Sequence, residues 1–324
     1  MARAYGESVC SQLSAIAAPA CRRRACGTGC GRAVQAAARE RFQLPRDTSD
    51  NGDMATSIPT VRTLPTNDGV PIEAVYLPPK SDDPDSTDLA FVVAHGFTGS
   101  WQRPSVWRIA NRFARSGGAV CFDFRGHGRS GGTSTLGDRE TRDLAVAVAW
   151  ARELGFKRIA AVGFSMGASV ALRHAGLAGQ AAGLDAVVSV SGPGRWYYRG
   201  TTPMRRVHLA VEYPIGRLVT RVALHTRVNR GRWNPVPVSP SEAAAMIAPV
   251  PLLVVHGDRD SYFPLDHAHQ IYEAAREPKE LWILKGFGHA ESATSNGLVD
   301  RIGRWVMKVT APVQPTAPPQ VLNG

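Results

Sequence analysis

Gly163-Phe164-Ser165-Met166-Gly167 is bracketed by two stretches of opposite character. Before it runs Lys-Arg-Ile-Ala-Ala-Val (157–162), a short β-branched and alanine-rich run of the kind that forms a buried strand. After it, residues 168–178 hold no glycine until Gly176 and read as a helix. Gly-x-Ser-x-Gly between strand and helix predicts a tight turn that lifts the serine Oγ clear of a sheet. Gly163 and Gly167 are required because a side chain at either position would collide where strand and helix cross. The pentapeptide alone is weak, since glycine and serine are common; its flanks make it specific.

Outward from this turn the same alternation repeats. Residues 61–64 and 72–77, joined across Asn67-Asp68-Gly69, read as a hairpin, and 78–88 as a polar loop. Residues 89–94 form a strand ending in His95-Gly96, 107–116 a helix, 118–124 a strand and 139–154 a helix stopped by Gly155. Further strands fall at 184–190, 251–256 and 280–284, with helices at 267–275 and 292–309. Strands alternating with helices imply parallel pairing through right-handed crossovers. Between 192 and 249 the alternation lapses, and so long a structureless loop is improbable in a compact domain. Helices at 204–211 and 216–225 are expected there, laid as a lid over the strand ends.

A serine nucleophile needs a base, and the base an orienting carboxylate. Ligands of open parallel sheets gather at the strands' carboxyl edge, so both belong at later strand ends. Leu252-Leu253-Val254-Val255-His256-Gly257-Asp258-Arg259-Asp260 ends a strand with two acids. Asp260, three residues past the glycine, has cleared the strand and can turn inward; Asp258 is the alternative. In Gly286-Phe287-Gly288-His289-Ala290, glycines flank a histidine suited to a tight exposed loop. His289 is therefore the expected base. The order Ser165, Asp260, His289 is the one associated with strand–turn–helix serine sites. Backbone N–H groups of Met166 and Phe97, the latter in His95-Gly96-Phe97, are the expected donors to a developing oxyanion.

These motifs, together with Asp123-Phe124-Arg125-Gly126-His127-Gly128-Arg129-Ser130, resemble the α/β-hydrolase superfamily, nearest to its serine-aminopeptidase and monoglyceride-lipase-like branch. The resemblance spans residues 60–310. It implies an α/β-hydrolase fold: a mostly parallel eight-stranded sheet, helices on both faces, and a helical lid inserted after strand six. It further implies that 123–130 shapes the loop beside the oxyanion donors. Members with an aspartate nucleophile are disfavoured because Ser165 stands at that position.

The implied division is an N-terminal extension over 1–53, core at 54–193, lid at 194–248, core again at 249–310 and a Pro-rich tail at 311–324. Four cysteines, Cys10, Cys21, Cys26 and Cys30, crowd the extension without the paired spacing of common zinc folds. Extension and tail read as disordered, with Met54 as an alternative natural start. Cys121 sits in an apolar strand as a small hydrophobe. His95 and His256, at strand ends, read as braces for the active-site loops. His127 reads as structural, and His174, His267 and His269 as surface or satisfied helix residues. Residues 9–20 make a poor secretory core, broken by Ser11, Gln12 and Ser14. No apolar run reaches spanning length. A cytoplasmic location is the default, with membrane association through the lid as its variant.

The net charge of +11 is concentrated. Residues 195–232 carry nine arginines against one acid, Glu212, while 1–53 contribute eight arginines and five acids. No nucleic-acid motif accompanies this charge, so nucleic-acid binding is not expected. The arginine-rich stretch is either a solvated basic face or a surface that meets anionic lipid or admits an acidic or amphiphilic substrate. The expected activity is cleavage of a carboxylic ester in a small acyl substrate, without cofactor or metal. The alternatives are acyl transfer with the same residues, or a binding protein that keeps the fold without turnover.

Overall fold

The computed structural model describes residues 58–81 and 83–312. The expected extension, its cysteines, the alternative start and most of the Pro-rich tail lie outside these residues. Eight strands form one sheet in the order β1-β2-β4-β3-β5-β6-β7-β8. They are β1 (Thr60–Pro65), β2 (Pro71–Leu77), β3 (Leu89–Ala94), β4 (Gly118–Phe122), β5 (Arg158–Phe164), β6 (Ala186–Val190), β7 (Leu252–Gly257) and β8 (Lys279–Leu284). β2 pairs antiparallel with β1 and β4; every pairing from β4 to β8 is parallel. The parallel pairing is the one expected from the alternation of strands and helices, and the whole is the α/β-hydrolase fold that the resemblance implied.

The helices are α1 (Pro84–Thr87), α2 (Pro104–Phe113), α3 (Glu140–Glu153), α4 (Met166–Ala178), α5 (Thr202–Glu212), α6 (Pro214–Ala223), α7 (Pro240–Ala244), α8 (Asp266–Ala274), α9 (Ala290–Ala293) and α10 (Asn296–Val309). Side chains alternate across each strand, so the sheet separates two apolar cores. Ala90, Val92 and Ala94 of β3 join one with α3, α4 and α8. Leu89, Phe91 and Val93 join the other with α2 and α10.

The predicted elements are all present, with shifted ends. α2 begins at Pro104, ahead of the expected start, because proline at the first helical position lacks only an N–H that has no intrahelical acceptor. The single closing helix expected over 292–309 is two helices, since the Ser295 side chain accepts from Leu298 N and restarts the chain as α10. Within 192–249 the structure adds α7, started by a reciprocal capping box between Ser239 and Glu242. The polar loop at 78–88 contains α1. α5 and α6 occupy the segment between β6 and β7, as expected.

Candidate active site

Ser165 sits between β5 and α4 with φ 51° and ψ −113°, a backbone conformation that non-glycine residues rarely adopt. Its N–H donates to Val190 O at 2.9 Å, locking the turn to the neighbouring strand. The flanking glycines are demanded by close approach. A Cβ on Gly163 would lie 2.3 Å from Gly167 O, and one on Gly167 would lie 2.1 Å from Ala94 O. Both atoms are backbone and cannot swing aside.

Three sequence-predicted residues converge here. His289 Nε2 stands 3.0 Å from Ser165 Oγ. Its Nδ1 stands 2.8 Å and 3.0 Å from the two carboxylate oxygens of Asp260. Asp260 also accepts from the N–H groups of Tyr262 and Phe263 at 2.8 and 3.0 Å. Burial raises the Asp260 pKa, but the bonds from His289 and these amides outweigh it and hold the carboxyl below its ordinary range. Asp258 is absent from this chain of contacts. Its carboxylate accepts from Gly286 N at 2.6 Å, bracing the turn that leads to His289.

The loop after β3 passes close to the serine. A Cβ on Gly96 would come within 3.3 Å of Ser165 Cβ. Neither the Phe97 N–H nor the Met166 N–H has an acceptor among the described residues. Two buried histidines hold this loop against the one at 123–130. His95 Nε2 accepts from Phe124 N at 3.1 Å, so its proton is on Nδ1 and donates to Gly96 O at 2.7 Å. His127 Nε2 accepts from Thr98 N at 3.2 Å, and its Nδ1–H donates to Arg125 O at 3.1 Å. Burial pulls the His95 pKa down to about 4 and that of His127 to about 3, fixing both rings as neutral. Asp123 adds a third tie, accepting from Trp101 N at 2.8 Å. The expected bracing roles of 123–130 and His95 thus have a geometry. His256 does the same for the acid loop, its Nε2 lying 2.9 Å from Phe263 O. Of the helix histidines read as surface or satisfied, His174 and His267 are buried, each bonded through one ring nitrogen.

Three further residues shape the site and were not singled out from the sequence. Part-buried Glu291 accepts from Gly96 N at 2.6 Å across 195 residues of chain. Burial pushes its carboxyl above the ordinary glutamate range, against the pull of the Gly96 N–H and of His289. Tyr262 stacks on the His289 ring at 4.3 Å with 25° between planes. Ser191, just past the end of β6, accepts from Ala290 N at 3.1 Å and so fixes the residue after His289. Of these, Glu291 had the one usable signal: an acid two positions from a candidate base. Among the described residues no His, Cys, Asp or Glu cluster has the arrangement to hold a metal ion.

Known proteins are similar to this chain in sequence or in fold. YqkD of Bacillus subtilis (strain 168) is 27% identical over 269 residues, covering 78% of this chain and 81% of its own length. YfhR of Escherichia coli O157:H7 is 24% identical over 228 residues, covering 69% and 71%. Among solved structures, the esterase Pf2001 of Pyrococcus furiosus superposes with a TM-score of 0.60 at 23% identity, over 78% of this chain and 92% of that one. The alpha/beta hydrolase GrgF of Penicillium sp. sh18 superposes with a TM-score of 0.61 at 20% identity, over 79% and 100%. A sequence model described as the alpha/beta hydrolase family matches residues 91–296, from within β3 to just beyond His289. With that match spanning most of the sheet and the serine turn standing where β5 meets α4, the chain belongs to the alpha/beta hydrolase family.

Proposed function

We propose that the protein is a serine hydrolase that cleaves a carboxylic ester through an acyl-enzyme on Ser165. The observation that carries this reading is the continuous hydrogen-bonded line from Ser165 Oγ through His289 to Asp260, at 3.0 and 2.8 Å. His289 Nε2 takes the Ser165 proton as Oγ attacks the acyl carbon, and the carbonyl electron pair moves onto oxygen. Phe97 N–H and Met166 N–H receive that oxyanion; losing one such donor costs about 3–4 kcal/mol of transition-state stabilisation. The intermediate collapses, the ester C–O bond breaks, and the leaving alkoxide takes the proton from His289. Water gives a proton to His289 as it attacks the acyl carbon; the acyl–Oγ bond then breaks, Ser165 Oγ takes that proton from His289, and a carboxylic acid leaves. Asp260 holds the imidazole tautomer and offsets its transient charge throughout.

An ester is favoured over an amide because no peptide-recognition feature accompanies the site, and the Pyrococcus furiosus relative of the same fold is an esterase. In this reading 194–248 is a lid between core segments 54–193 and 249–310. Its support is that Thr201 Oγ1 donates to Tyr262 O at 2.9 Å, while Tyr198 packs on Phe263 and His267. The test is covalent labelling with a fluorophosphonate probe, followed by turnover of an ester panel varied in acyl length and charge. Labelling of the wild type and not of Ser165→Ala is expected. An unlabelled, inert wild type would leave the fold as a binding scaffold.

A further inference from the structure

A helix on the surface of a globular protein normally turns its apolar stripe inward. α6 does the reverse. Ile215, Leu218 and Val222 fall along one face at helical spacing and are 73, 59 and 68% exposed. Its inward side holds little apolar bulk: Thr220 is buried, Gly216 and Val219 are half-buried, and Arg217 reaches back to Val211 O and Glu212 O at 3.1 and 2.9 Å, capping the end of α5. Leu209 of α5 and Tyr213 between the helices are also exposed and extend the stripe. Single exposed apolar residues need no explanation, but a run of them across two packed helices marks an interaction surface.

The charge around the stripe selects its partner. Of the nine arginines in 195–232, five are held by the protein itself. Arg195 pairs with Asp266, and Arg199 with Glu212. Arg205 donates to Arg199 O, Gly200 O and Thr202 Oγ1, Arg217 caps α5, and Arg227 donates to Ser130 O. Arg206, Arg221, Arg230 and Arg232 are exposed and have no partner among the described residues. Glu212, the one acid of the stretch, is already taken by Arg199 and by His208 at 2.6 Å. A second copy would bring the same unpaired cations against these. Residues 1–53 carry an excess of arginine and 313–324 carry no charge, so neither segment is complementary either.

We infer that the face formed by α5 and α6 docks on an anionic lipid surface, with the Leu209–Val222 stripe entering the acyl boundary and Arg206 and Arg221 meeting headgroups. Docking of this kind is independent of whether Ser165 turns over an ester.

The test is co-sedimentation of the full chain with vesicles of phosphatidylcholine alone and of phosphatidylcholine mixed with phosphatidylglycerol. Binding only to the mixed vesicles is expected, weakening as salt shortens the Debye length from about 10 Å at 0.1 M to about 3 Å at 1 M. Leu218→Asp should abolish it, and Arg206→Glu and Arg221→Glu should each weaken it by at least about fivefold. Thermal melts near wild type for all three variants would show that the fold is intact, and Leu218→Gln provides a milder second variant. Absence of binding to mixed vesicles at low salt would overturn the proposal, as would binding indifferent to these substitutions. A dimer in sedimentation velocity that Leu218→Asp dissociates would also overturn it, assigning the face to a second copy.

Discussion

Asp258 and Asp260 are two residues apart, and their hydrogen bonds assign them different work. Asp260 meets His289 and two backbone amides, whereas Asp258 braces the turn at Gly286. Asp260→Asn should lower kcat by about 10³–10⁴-fold, since an amide cannot hold the imidazole in the required tautomer. Asp258→Asn should change it only a few-fold, and steady-state kinetics of the pair would reassign the acid if the ranking were reversed. Glu291 is a positioning residue on this geometry, steadying Gly96 and so the Phe97 N–H beside it. Glu291→Ala should reduce kcat on the order of 10–100-fold with KM nearly unchanged, the pattern of a slightly misplaced donor. Glu291→Gln keeps an oxygen for Gly96 N and should recover most of the loss. Equal effects of both variants on kcat and KM would point to a role in binding instead.

The element that decides the site is the β5–α4 turn, and its glycines set a test at that scale. Gly167→Ala forces a methyl into the Ala94 carbonyl at 2.1 Å, so a destabilisation of about 3 kcal/mol or more is expected in chemical denaturation. Gly69→Ala, in a turn where an added Cβ meets nothing within 4 Å, should be milder, limited to the strain of φ 78°. Such local geometry is what a sequence displays well. The Gly163–Gly167 spacing, the acids after Val255 and the glycines around His289 all speak through neighbours in the chain. Glu291 and Ser191 do not, because their partners, Gly96 N and Ala290 N, are brought by the sheet from 195 and 99 residues away. The interval 216–225 was legible as an apolar–basic helix, but not which side faces the protein. Arg217 capping α5 decides that, and it rests on how α5 meets α6. The break at Ser295 was hidden by apolar residues that keep helical spacing on either side of it.

Over the whole molecule, buried histidines tie stability to pH. The ordinary imidazole value is 6.5, while burial lowers His95 to about 4, His127 to about 3 and His267 to about 4. As pH falls below 6.5 the unfolded chain takes up protons that the folded rings refuse, so the folded state loses stability. The loss grows by about 1.4 kcal/mol per pH unit for each ring and levels off below the folded values. Stability curves from pH 7 to 4 should therefore be shallower for His127→Asn than for the wild type. Parallel curves would mean that the ring is not held neutral.

Ser165 and His289 meet across 124 residues of chain, and Gly96 and Glu291 across 195. Contacts that close such long loops form late in folding, after local helices and hairpins. On the function proposed above, reactivity of Ser165 is then a clock for refolding. Helical circular dichroism should recover first, and fluorophosphonate labelling only in the slowest phase, when β7, β8 and the His289 loop have docked. A chain cut between α4 and β7 would keep the serine turn in its covalent sequence and yet present no activated hydroxyl until the second piece associates.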